Sequence, residues 1–253
     1  TGMGALKVVN ISNPASPAII ASHDTRGSAE GIAISGNYAY VTDNIGLLVI
    51  NISTPAAPTR TATFSTPTSY TTSVVLSGNY AYVVDALGSG FYIINISNPA
   101  SPTLAGSYSS GWSADVAVNG AYAHVLTWGS QVVNVLNVSN PANIYEISEY
   151  PYAGSKGIRV IGNNSYVSDG DALRIVNVAN PYLPTLTGTY SPLDSAWDMV
   201  VNGNYAYTSE ETGMSIINIS NPAAPTRTGY FDTSVPEDTT APEVTWIEPV
   251  SAT

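Results

Sequence analysis

Residues 78–99 read G-N-Y-A-Y-V-V-D-A-L-G-S-G-F-Y-I-I-N-I-S-N-P. Gly78-Asn79 supplies the positive φ of a two-residue hairpin turn, joining V-V-L-S (74–77) to Y-A-Y-V-V-D (80–85). F-Y-I-I-N-I is a third strand. The Asn-Pro after it ends the strand, because proline has no N–H to give a ladder. T-L-A-G-S-Y (103–108) then reads as a fourth, more polar strand. The unit repeats: N-I-S-N-P or a variant opens at Asn10, Asn51, Asn95, Asn137, Asn177 and Asn218, at intervals of 41, 44, 42, 40 and 41 residues. That period is the length of a four-stranded propeller blade. The G-N-Y-A-Y hairpin keeps the same register at Gly36, Gly78, Gly120, Gly162 and Gly203.

The third strands (L-K-V-V-N-I, L-L-V-I-N-I, L-R-I-V-N-V, M-S-I-I-N-I) are apolar almost throughout, so both faces of each sheet are covered. Tyr alternating with Ala on the second strand suits large rings interleaving with small neighbours between blades. In these features the chain resembles the LVIVD-repeat propellers, which pair a G-N-Y-A-Y-V hairpin with an L-x-V-V-D-V-S-x-P strand and loop. The resemblance spans about residues 5–231, with Asn in place of the usual Asp at the end of every third strand. It implies an exported or surface-attached protein and says little of activity. The expected fold is all-β: a six-bladed β-propeller over residues 1–231, followed by an acidic C-terminal tail over 232–253.

Composition narrows the partners. Charged residues are 10% of the 253, with 18 Asp and Glu against 7 Lys and Arg, a formal charge of −11. A surface this poor in cations has little with which to bind a phosphate backbone or anionic lipid, so nucleic acid is not expected as a partner. No apolar run approaches the ~18 residues of a membrane span. There is no cysteine and hence no thiol chemistry.

The strand count does not close. Third and fourth strands occur six times, first and second strands five times, so Leu6–Ser22 is half a blade. The tail has no second hairpin motif; it offers at most one strand, Glu243–Val250, with Val244 and Trp246 on one side. Its D-T-T-A-P-E-V-T resembles the opening of a bacterial immunoglobulin-like domain, so an alternative expectation is that the tail is a linker to such a domain in a larger protein. The tail strand is expected to pair with the half blade carrying Leu6, Val8 and Ile11, in a neighbouring molecule rather than in its own. The linker of about a dozen residues spans ~35 Å when extended, which reaches either.

Candidate chemistry is sparse. Of the two histidines, His124 replaces a hairpin Tyr and is expected to pack between blades, and His23 is read in a loop beside Asp24. No nucleophile motif accompanies them, and no enzyme activity is expected. Asp169 and Asp171, in D-G-D, are the best candidates for calcium, which takes several oxygen ligands; the plainer reading is a turn. Asp115 and Asp198 open inner strands, but the matching Gly31, Ser73 and Gly157 complete no metal ring. No other cofactor is expected. Asn10, Asn51, Asn95, Asn137, Asn163 and Asn218 open N-x-S sequons, although a side-chain bond to the following turn explains five of the six cheaply.

The loops at one end of the propeller are nearly identical, whereas those at the other vary and carry Tyr70, Trp112, Trp128, Tyr152 and Trp197. Such rings beside Asp and Asn hold a sugar, or else they pack between loops and plug the channel. Two functions are therefore expected: a non-enzymatic extracellular structural protein that polymerises head to tail by strand donation, or a surface module recognising glycan or protein.

Overall fold

The computed structural model describes residues 4–67, 70–87, 90–152, 154 and 157–233, and they contain no helix. The first sheet has two strands, β1 (Ala5–Asn10) and β2 (Ala18–Asp24). The second holds β3 (Gly31–Ser35), β4 (Tyr38–Asp43), β5 (Gly46–Asn51) and β6 (Thr59–Ser65); the third holds β7 (Thr71–Ser77), β8 (Tyr80–Asp85), β9 (Gly90–Asn95) and β10 (Thr103–Ser109). The fourth comprises β11 (Ser113–Asn119), β12 (Tyr122–Thr127), β13 (Val132–Asn137) and β14 (Tyr145–Pro151), and the fifth β15 (Gly157–Ile161), β16 (Asn164–Asp169), β17 (Ala172–Asn177) and β18 (Thr185–Tyr190). The sixth closes the described chain with β19 (Asp198–Asn202), β20 (Tyr205–Ser209), β21 (Gly213–Asn218) and β22 (Thr226–Asp232). All sheets are antiparallel meanders, the blades of a propeller, with β1 and β2 as half a blade.

The hairpin glycines Gly36, Gly78, Gly120, Gly162 and Gly203 have φ between 55° and 58°, the left-handed conformation that the turn requires. Each Asn of the N-x-S-N-P loops accepts a bond at 2.8–3.1 Å from the backbone N–H two residues on, which fixes the turn before the proline. Where the third and fourth strands pair, every sheet also carries a β-bulge, as between Val8/Val9 and between Ile216/Ile217. The unpaired extra residue sharpens the local twist of the outer strand.

Inner strands β3, β7, β11, β15 and β19 stand side by side in that order around a central channel. The apolar side chains between sheets form five cores. Leu6 packs on Ala39, Val41, Leu48 and Ile50 between sheets one and two, and further clusters join two to three, three to four, four to five and five to six. No sixth cluster joins sheet six back to sheet one among the described residues. The consequence is local and large. Ile32 is 51% exposed, while its equivalents Val74, Val116, Ile158 and Met199 are at most 6% exposed. On the facing side Met214 is 37% exposed, against 0% for Leu47, Phe91, Val133 and Leu173. Among the described residues the ring is open between β19 and β3.

Candidate functional site

Inner strands enter the channel at the end where the loops vary, and their equivalent positions near that end are Gly31, Ser73, Asp115, Gly157 and Asp198. Ser73 donates its hydroxyl to Asp115 Oδ1 at 2.6 Å. Asp115 Oδ1 also accepts the Val116 N–H, and Oδ2 accepts the Ile158 N–H, each at 2.9 Å. Arg159 then bridges two sheet boundaries: Nη1 meets Asp115 Oδ2 and Nη2 meets Asp198 Oδ1, both at 2.9 Å. A polar ladder thus runs across sheets three to six on the channel wall. Burial raises the Asp115 carboxyl above its ordinary pKa, an effect opposed by Arg159, Ser73 and the two backbone donors. Gly157 leaves the ladder its room, because a Cβ there would lie 2.9 Å from Asp198 Oδ1.

The channel is a cavity of about 820 Å³. Glu30, Tyr70, Thr72, Trp128 and Trp197 join the ladder in its wall, which also carries apolar stretches such as Val75, Val118, Ile161 and Val201. Tyr70, Trp128 and Trp197 are thus brought together around one cavity, as part of the aromatic pattern suggests. Trp112 is exposed outside it, although its carbonyl accepts the Trp128 N–H. Tyr152 is not part of the exposed set. It is buried in the core between sheets four and five, its hydroxyl donates to the Thr127 carbonyl at 2.9 Å, and burial pushes its pKa up. Arg159, which the residue pattern did not single out, has a signal in hindsight. It is the one charged residue at an inner-strand position held elsewhere by Ala33, Val75, Ala117 and Val200.

Asp169 and Asp171, the calcium candidates, lie on either side of Gly170 at the turn from β16 to β17. Asp169 is buried and its carboxylate is paired with the Arg174 guanidinium, a partner that competes with any cation for its charge. Among the described residues no three His, Asp or Glu side chains gather as a metal site. His23 lies on β2 rather than in a loop, beside a small rim pocket with Arg26 and Arg60. His124 is buried between sheets four and five, as its place in the hairpin implies. The sequon residues Asn10, Asn51, Asn95, Asn137 and Asn218 serve their own turns, while Asn163 lies in the hairpin turn between β15 and β16, two residues before the buried Ser165. Of the proposed assembly residues, Leu6 is half-buried against sheet two, Val8 is half-buried and Ile11 is exposed just past β1. Val244 and Trp246 lie outside the described residues.

Solved structures similar to this fold include a protein of unknown function from Desulfotomaculum acetoxidans (15% identity, TM-score 0.72, covering 85% of this chain and 73% of that one). A putative 6-phosphogluconolactonase from Bacteroides fragilis matches at 13% identity with a TM-score of 0.75, over 90% of this chain and 77% of the other. A chain of a nidogen/laminin complex matches at 10% identity and 0.64, over 87% and 85%. At such identities these likenesses show the fold alone. No curated protein matches the sequence. The LVIVD repeat is matched at residues 2–25, 26–66, 69–110, 110–151, 154–191 and 194–233, one match for each sheet, and the chain belongs to the LVIVD-repeat family of β-propeller proteins.

Proposed function

We propose that this chain is a non-enzymatic structural subunit of an extracellular, cell-surface assembly, in which the C-terminal segment of one copy completes the half blade of the next. The observation that carries the reading is the missing sixth core. Among the described residues β1 has no partner on its inner edge, and Ile32, Ile34, Val200, Met214 and Phe231 are exposed around the opening. Such an edge is normally covered, and burying each of these side chains is worth about 1.5–3 kcal/mol in transfer free energy.

Strand direction favours a neighbour as donor. β22 ends at the end of the ring where β1 begins, because Asp232 pairs with Gly213 at the start of β21, the counterpart of Ala5 in β1. A segment leaving Thr233 and passing directly beside β1 would run parallel to it, whereas every blade here is antiparallel. To pair antiparallel within its own chain, the segment would first have to cross the full height of the sheet and turn. A donor strand from a second copy carries no such constraint, and a head-to-tail contact of this kind propagates into a fibre.

Deleting residues 240–253 is expected to leave monomers by light scattering and to abolish fibres in electron micrographs, and the isolated 240–253 peptide is expected to cap growing ends. The absence of native cysteine allows a direct test of the donor. Lys7→Cys and Val244→Cys molecules, mixed and oxidised, are expected to give interchain disulfides. Normal assembly of the truncated chain, or crosslinks only within the double-cysteine chain, would overturn the proposal.

A further inference from the structure

Apart from the open edge, the channel mouth presents groups prepared for a ligand. Arg159 has five N–H donors. Two serve Asp115 and Asp198 and one serves the Ile158 carbonyl at 2.7 Å, so two remain outside these bonds among the described residues. Asp198 is the complement. Its Oδ1 accepts from Arg159 and from the Met199 N–H at 2.7 Å, while Oδ2 accepts nothing among the described residues and the side chain is exposed. Unused donors therefore stand next to an unused acceptor.

A simple anion would engage only the donors and face two carboxylates beside one guanidinium. A simple ammonium would engage only the acceptor and face the guanidinium. Two adjacent hydroxyls, each able to donate and accept, satisfy both. Trp128, Trp197 and Tyr70 line the same cavity and offer flat apolar faces to the C–H side of a sugar ring. The volume of about 820 Å³ lies within the usual range for small-molecule sites, roughly 300–1,000 Å³. The pair is also held in place before any ligand arrives, since Arg159 is anchored on Asp115, itself fixed by Ser73 and two backbone N–H groups.

We propose that the variable-loop mouth of the channel binds a neutral saccharide, with Asp198 and Arg159 gripping a vicinal diol and Trp197 stacking on the ring. The proposal is independent of assembly, because it concerns the channel and not the open edge.

The test uses the full chain, screened on an array of neutral, carboxylated and amino oligosaccharides, with intrinsic tryptophan fluorescence to measure affinity for those retained. Asp198→Asn and Trp197→Ala are each expected to weaken binding of the neutral saccharide by about tenfold or more, while Trp112→Ala, outside the cavity, leaves it unchanged. Asp198 has an exposed side chain, so its variant folds even if loss of the Trp197 ring disturbs the loops. Retention of no neutral saccharide would overturn the proposal, as would retention that survives both variants or preference for the carboxylated or amino sugars. Repeating the titration on the 240–253 deletion separates the two proposals: unchanged affinity in a chain that no longer assembles supports both.

Discussion

His124 and Ser165 are the two departures from the hairpin pattern that meet in space. Elsewhere the His124 position is Tyr40, Tyr82, Tyr166 and Tyr207, and the Ser165 position is Ala39, Ala81, Ala123 and Ala206. Between them stands Tyr150, whose hydroxyl donates to Ser165 Oγ at 2.7 Å and lies 3.3 Å from His124 Nδ1. The packing role of His124 was legible in the sequence. Its partners were not, because Tyr150 comes from a fourth strand whose bulge hides its register. Burial lowers the His124 pKa from 6.5 to about 4. The unfolded chain therefore takes up a proton near pH 6.5 while the folded chain does not until about pH 4. Stability is expected to fall as pH drops through this window, by an amount on the order of 3 kcal/mol once both states are protonated. Melting temperatures from pH 7 to pH 4 check this, with His124→Gln expected to flatten that part of the profile.

At the level of the strand, each bulge sets a small residue eleven positions after the repeat Asn: Ala21, Ala62, Gly106, Ser148, Gly188 and Gly229. The reason is the Asn-Pro loop of the following blade. A Cβ on Gly188 would lie 2.2 Å from the Pro222 carbonyl oxygen, and Ser148 uses its hydroxyl to donate to the Pro181 carbonyl at 2.6 Å. Among the described residues no following blade stands against Gly229, and the nearest atoms to a Cβ there belong to Ile216, at 3.5 Å. Gly188→Ala is expected to cost about 1–3 kcal/mol in denaturant unfolding, whereas Gly229→Ala is expected to be neutral or to stabilise by about 0.4–1 kcal/mol. The eleven-residue spacing was present in the sequence as a signal, but nothing local explains it. The cause is a carbonyl about 33 to 35 residues further along the chain. Strand order and blade number, by contrast, follow from Gly78-type turns and Asn-Pro stops, which act within a few residues. Arg159 escaped for the same reason as the spacing, since a channel residue is defined by two other sheets and not by its own strand.

For the whole molecule, the five inter-sheet cores make each blade depend on its neighbours alone, and the opening between β19 and β3 gives the series two ends. A closed ring must break two interfaces to release a blade. This one needs to break only the interface between sheets five and six to release its last blade, so energetically it behaves as a short linear array bent into a circle. Hydrogen exchange should report this as a gradient, with amides of β20 and β21 exchanging well before those of β8, β9, β12 and β13, and uniform protection would argue against it. The opening matters most under mechanical load. A fibre built from such rings would not fail at random blades: tension applied through the tail reaches the sixth sheet first and peels it from the fifth, leaving the blades behind it intact to refold as a template once the load is released.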